Sequence, residues 1–234
     1  MEIDLKKIKV IAFDADDTLW VNEPYFREVE HKVARLLSPY ETENKIHQEL
    51  YRVEIENLEH YGYGVKAFIL SMIELAVEIS NHKISARVID EILELGKDML
   101  QKPIELLEGV DEVLQSLYGE YKLIVATKGD LLDQERKLEK SGLLKYFHHV
   151  EVMSDKKESD YLKIVQHLDI KPEELLMIGN SLKSDILPLV SIGTAAIHIP
   201  YHTTWLHEQV ELTNTPQQDY ITIKNIRELL ALIK

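Results

Sequence analysis

At 234 residues, with 45% hydrophobic and 29% charged side chains, the chain is large enough for one sizeable core, or for a core and a smaller insert. A formal net charge of −14 argues against a general binder of nucleic-acid polymers or membrane surfaces, which would need basic stripes, while leaving room for an anionic ligand held by a local cation. Cysteine is absent, which excludes disulfides, zinc–thiolate sites and thiol chemistry.

The N-terminal segment Met1-Glu2-Ile3-Asp4-Leu5-Lys6-Lys7 is too short and too charged for a secretory signal. No apolar run approaches the roughly 18 residues that a membrane helix requires, so a cytoplasmic, soluble protein is expected. The run Ile8-Lys9-Val10-Ile11-Ala12 reads as a buried strand, followed directly by Phe13-Asp14-Ala15-Asp16-Asp17-Thr18-Leu19-Trp20. Two carboxylates and a hydroxyl then fall just past the C-terminal end of a strand, the edge of an open α/β sheet where ligands sit. Acids one residue apart are cheaply buried only with a proton or a cation, and a divalent metal is the simplest solution. Asp17 is expected to be an exposed turn residue, and Trp20 to pack at the junction of core and insert.

From 24 to 102 the apolar residues recur at helical spacing. Phe26, Val29, Val33 and Leu36 mark a first helix; Ile46, Leu50, Val53 and Asn57 mark a second. Phe68, Met72, Leu75 and Ile79 mark a third; Val88, Ile92, Leu95 and Met99 mark a fourth. Pro39 and Tyr61-Gly62-Tyr63-Gly64 punctuate them. The pattern then alternates: helix 110–117, strand 123–126, helix 131–140, strand 149–153, helix 161–168, strand 175–178, helix 185–190, strand 195–199, helix 225–233. Near-continuous apolar strands between helices predict a parallel sheet covered on both faces. The expectation is an α/β, Rossmann-like core built from 1–20 and 106–234, interrupted by a helical bundle over 21–105 that caps the acidic turn.

Three more strand ends carry chemistry. Ala126-Thr127-Lys128-Gly129 offers a hydroxyl and backbone amides suited to a phosphate. Ser154-Asp155-Lys156-Lys157 offers two lysines, of which Lys156 is nearer the strand end and Lys157 reads as a solvated surface residue. Gly179-Asn180-Ser181-Leu182-Lys183-Ser184-Asp185 follows the strand 175–178 with a glycine, an amide that can serve as an oxygen ligand and, five residues on, a carboxylate.

These four segments, in this order, resemble the motifs of the haloacid dehalogenase superfamily, of the phosphatase type with a helical cap. The resemblance implies Asp14 as the nucleophile that forms an aspartyl-phosphate, and Asp16 as the general acid and then base. It implies Thr127 and Lys156 on the phosphoryl oxygens; Lys128, beside Thr127, is a further candidate for the phosphate and reads equally as an exposed residue. Mg2+ would lie on Asp14, the Asp16 carbonyl, Asp185 and Asn180. Asn180 departs from the family pattern, which has an aspartate there. The implied substrate is a small phosphorylated metabolite. A dehalogenase or a phosphomutase of the same superfamily, and a silent binding protein that keeps the fold, are the rival readings. Tyr61-Gly62-Tyr63-Gly64-Val65-Lys66 is a candidate for contact with the leaving group. His148-His149 has no second pair at metal-ligand spacing and reads as surface, and Pro200-Tyr201-His202-Thr203-Thr204-Trp205 has no assigned role. Neither the natural substrate nor the oligomeric state is encoded legibly.

Overall fold

The computed structural model describes residues 5–210 and 220–233, with the Leu5 side chain excepted; the first four residues of the N-terminal segment lie outside that range. The chain divides into two compact units: Met1–Glu23 with Ile104–Lys128 and Glu135–Lys234, and Pro24–Pro103 with Gly129–Gln134.

The first unit is built on a parallel six-stranded sheet. Its strands are β1 (Val10–Phe13), β2 (Lys122–Lys128), β3 (His149–Met153), β4 (Leu175–Gly179), β5 (Ala195–His198) and β6 (Ile221–Thr222), in the order β3-β2-β1-β4-β5-β6. All residues of β1 and β4 are buried, as expected of central strands covered on both faces. One face packs Ile11, Phe13, Val125 and Ile178 into a core with Trp20, Leu114 and Leu229; the other packs Val10, Ala12, Ile124 and Met177 against Tyr161 and Leu189. Phe13 is in register with both Val125 and Ile178, and the Asp14 amide extends the ladder to the Ile178 carbonyl at 2.9 Å. By this register β4 ends one residue past β1 and β2 three residues past it, and the turns after them share one edge of the sheet.

The helices of this unit are α5 (Val110–Leu117), α6 (Leu131–Ser141), α7 (Glu158–His167), α8 (Leu187–Ser191) and α9 (Glu228–Ile233), the first turn of α6 being grouped with the other unit. Three boundaries differ from expectation. The α7 helix opens three residues before Tyr161, because a polar first turn (Glu158, Asp160) hides its start from an apolar period. Residues 182–186 form a turn of π-helix before α8, rather than one regular helix. Asn225 folds its side chain onto the Arg227 amide and the Glu228 carboxylate, so the last helix begins at Glu228. The two-residue β6 strand was not anticipated, since two residues carry no period.

The second unit holds α1 (Glu23–Leu37, all but its first residue), α2 (Glu43–Tyr61), α3 (Val65–Ile79) and α4 (Ala86–Gln101). Val29, Val33, Ile46, Leu50, Phe68, Met72, Leu75 and Ile92 form its core, and the Phe26 and Phe68 rings lie 4.9 Å apart. Asn57 continues the buried face of α2 and is satisfied there, its amide donating to Ser71 Oγ at 3.2 Å and to Glu74 Oε2 at 2.6 Å. Gly64 holds φ at +107° and passes close to the Asp130 amide, while the Lys66 ammonium pairs with the Asp130 carboxylate at 2.9 Å. The segment 61–66 thus meets 129–130, the residues that follow Lys128 in the chain. Among the described residues, no helix is long and apolar enough to cross a membrane.

Candidate active site

The turn after β1 separates its two acids by environment. Asp14 is buried, and its Oδ1 accepts from Lys156 Nζ at 2.5 Å while its Oδ2 accepts from Thr18 Oγ1 at 3.1 Å. Thr18 Oγ1 also lies 3.3 Å from Asn180 Oδ1, which ties the turn after β4 to the nucleophile candidate. The Asp16 carboxylate instead meets the Trp20 indole N–H at 2.7 Å and Lys137 Nζ at 3.0 Å.

The Lys156 ammonium donates to Asp14 Oδ1 and, at 2.6 Å, to Asp185 Oδ1, with its side chain 2% exposed. Three strand ends, after β1, β3 and β4, thereby converge on one cation. Lys157 goes elsewhere: its side chain is 69% exposed and pairs with Asp155 at 2.9 Å. Burial opposes the charge on Lys156, but the adjacent Asp14 and Asp185 carboxylates outweigh it and hold the ammonium well above its ordinary value. Burial, followed by the Asp185 charge, pushes the Asp14 carboxyl up to about 7, against the pull of Lys156.

Asp185 is placed by an unusual local structure. In the π-helical turn Leu182–Ile186, the Leu187 N–H bonds to the Leu182 carbonyl, and Ser181 Oγ accepts from the Ser184 amide. Asp185 Oδ2 accepts from the Ser181 N–H at 2.9 Å. The carboxylate lies against Gly179, where a Cβ would overlap it, so only glycine admits this approach. Tyr161 braces the turn from behind, its hydroxyl donating to the Ser184 carbonyl at 2.9 Å.

Thr127 is buried at the end of β2, its hydroxyl 3.3 Å from the Lys128 carbonyl. Lys128 is joined to Glu208 at 2.6 Å and to Ser184 Oγ at 2.9 Å. Glu208, from the loop after β5, also accepts from Ser181 Oγ and Ser184 Oγ at 2.6 Å each. Burial would raise the Glu208 carboxyl, but the Lys128 ammonium and these hydroxyls hold it down at about 2.

Five side chains depart from expectation or were not anticipated. Asp17 is buried rather than exposed: at φ +61° its carboxylate folds back to cap the N-terminus of α1, accepting from the Asn22 N–H at 2.8 Å and the Glu23 N–H at 3.0 Å. Burial pushes that carboxyl up to about 8 despite those amides. Trp20 is 1% exposed in the core of the sheet unit, and its N–H is committed to Asp16. Lys137 and Glu208 gave no signal, one being a lysine on a polar helix and the other closing a three-residue 3-10 turn, Leu206–Glu208, after β5. His149 is half-buried, its ring 2.8 Å from Glu151 and beside His167.

A family model for "Hydrolase: haloacid dehalogenase-like hydrolase" matches residues 8–193, spanning β1 to α8 and all four strand-end segments. The chain belongs to the haloacid dehalogenase-like hydrolases. Within that family it is similar to a solved haloacid dehalogenase-like family hydrolase from Xanthomonas campestris, with 36% identity, a TM-score of 0.84, and 97% and 92% of the two chains covered. It is 25% identical to the N-acylneuraminate-9-phosphatase of Rattus norvegicus, over 98% of this chain and 95% of that protein. It is 24% identical to the glyceraldehyde 3-phosphate phosphatase of Methanopyrus kandleri, over 97% of each chain. The L-2-haloacid dehalogenase of Xanthobacter autotrophicus shares the fold at 13% identity and a TM-score of 0.65, covering 97% and 98% of the chains. In this dehalogenase-like hydrolase, two buried carboxylates, Asp14 and Asp185, face a single ammonium. That donor set, with the Asn180 amide oxygen alongside, suits a hard divalent cation.

Proposed function

We propose that the chain is a magnesium-dependent hydrolase of small phosphate monoesters that works through a covalent phosphoryl intermediate on Asp14. The observation that carries the reading is the Lys156 ammonium bonded at once to Asp14 and Asp185. Burial first, and then the Asp185 charge, raise the Asp14 carboxyl to about 7 against the single ammonium that faces both acids. A nucleophilic carboxylate must be ionised, so the site calls for a second cation. Mg2+, held by Asp14, the Asp16 carbonyl, Asn180 and Asp185, would supply that charge and polarise the phosphoryl oxygens.

The chain's own residues account for the remaining steps. Thr18 holds Asp14 Oδ2, which leaves the carboxylate oriented for in-line attack on phosphorus. Lys156 neutralises the phosphoryl oxygens as charge develops on them, with the Thr127 hydroxyl as a hydrogen-bond donor and Lys128, paired with Glu208, at the rim. Asp16 gives its proton to the leaving oxygen, then takes one from the water that releases phosphate from Asp14. Two considerations set this reading above dehalogenation. Halide departure needs no acid at position 16 and no metal at position 185, and the curated relatives over nearly the full chain are named as phosphatases. Those relatives also support a small phosphorylated metabolite as the substrate class. The glycine-bearing segment 61–66 is our candidate for reading the leaving group.

The test is phosphate release from a panel of small phosphate monoesters with Mg2+, with EDTA, and with Asp14→Asn, whose fold is checked by circular dichroism. Turnover that needs Mg2+ and vanishes in the variant is expected. Turnover that survives chelation, or equal rates in the two proteins, would refute the reading.

A further inference from the structure

Asp16 is held by groups that the reading above leaves without a task. Lys137 projects from α6, its side chain only 15% exposed, and its ammonium donates to Asp16 Oδ1 at 3.0 Å and to Asn22 Oδ1 at 2.9 Å. On a helix whose neighbouring Arg136 and Lys140 lie toward solvent, a lysine is drawn inward only where acceptors offset the loss of water. The Trp20 indole N–H donates to the same oxygen at 2.7 Å, from a ring fixed in the core. Asn22 is fixed in turn, since its backbone N–H is held by Asp17. The 16–23 turn and Lys137 thus form a polar network with Asp16 on its rim, and Asp14, two residues away, looks instead to Lys156.

We infer that Lys137 is a positioning residue which, with Trp20, aims Asp16 at the leaving-group oxygen. The inference deepens the phosphatase reading and rests on it. The two donors on Oδ1 fix the orientation of the carboxyl that gives its proton to the leaving oxygen. As the P–O bond to the leaving group breaks and the bond to Asp14 forms, that proton passes to the departing oxygen, which leaves as a neutral alcohol. The Asp16 carboxylate then accepts a proton from the water that attacks the phosphoryl group on Asp14. Ester and water become alcohol and phosphate, and both aspartates return to their initial states.

This role has a signature that a purely structural lysine lacks. An alkyl phosphate needs its leaving oxygen protonated, whereas p-nitrophenyl phosphate expels a stable phenolate and needs little help. For Lys137→Met, kcat/KM on an alkyl phosphate should fall about a hundredfold, and on p-nitrophenyl phosphate by about fivefold or less. Lys137→Arg should recover most of the loss, because a guanidinium can reach the same acceptors. Trp20→Phe, which keeps the ring and deletes the N–H, should show the same selective loss in a smaller degree. Asp16→Asn should show it in full. Equal losses on both esters, or no loss on either, in both Lys137→Met and Trp20→Phe would overturn the inference. Failure of the wild type to cleave any phosphate ester would instead fell the phosphatase reading, and the inference with it.

Discussion

Glu208 permits a quantitative test of how the loop after β5 is tied to the sheet edge. Its carboxylate bonds Lys128 Nζ, Ser181 Oγ and Ser184 Oγ, each at 2.6 Å, from a side chain 13% exposed. The folded state lowers the carboxyl from 4.5 to about 2. By linkage that displacement corresponds to about 3 kcal/mol of stability whenever the unfolded chain would be ionised. The sign follows from the direction: the contribution is complete above the unfolded value near 4.5 and is lost as pH falls through about 2. Glu208→Gln imitates the protonated side chain at every pH. Urea unfolding of the sheet unit, followed by the fluorescence of its tryptophans, Trp20 and Trp205, and by circular dichroism, should find the variant less stable than the wild type by about 3 kcal/mol at pH 7. The gap should still be nearly full at pH 5, and roughly half of it should be gone by about pH 3. Equal stabilities at pH 7, or a gap that does not change between pH 5 and pH 3, would refute this account of the loop.

Lys156→Met leaves the Asp14 and Asp185 carboxylates buried without their shared cation, which should destabilise the metal-free sheet unit by about 3–5 kcal/mol. Thermal unfolding in EDTA and in Mg2+ checks this, with the metal expected to stabilise the variant more than the wild type. Gly179→Ala places a methyl group on the Asp185 carboxylate and forces it off its bonds to Ser181 and Lys156. The Mg2+ concentration giving half-maximal turnover should rise by about tenfold or more, read from metal titrations of the rate.

The parts of the fold that could be read from sequence are those whose signal is local. Val10–Phe13 and Leu175–Gly179 are apolar throughout because both faces of the sheet are covered, and each ends on a polar turn, which marks the edge where Asp14 and Asn180 sit. The helical face of Ile46, Leu50, Val53 and Asn57 was legible to its last residue, since one spacing governs all four. What stayed hidden depends on distant pairing or on backbone angle. Lys137 and Asp16 are 121 residues apart, and Lys128 and Glu208 are 80 apart, so no window of sequence contains either pair. Asp17 looks like any turn acid until its positive φ swings the carboxylate inward. The choice between Lys156 and Lys157 turned on distance from the strand end, and the structure brings the nearer one to Asp14.

The π-helical turn at Leu182–Ile186 makes the length of this segment matter as much as its composition. Such a turn carries one residue more than an α-turn would need, and local hydrogen bonding favours giving that residue up. Deleting one residue there would let α8 follow on in ordinary register, and the sheet would have no reason to change. The carboxylate of Asp185, however, would swing by about 100° around the helix axis, away from Lys156. On the proposed reading, a variant of this kind would keep its fold and lose its metal-dependent turnover, so a gap at this point in a related sequence would bear on activity more than many substitutions elsewhere.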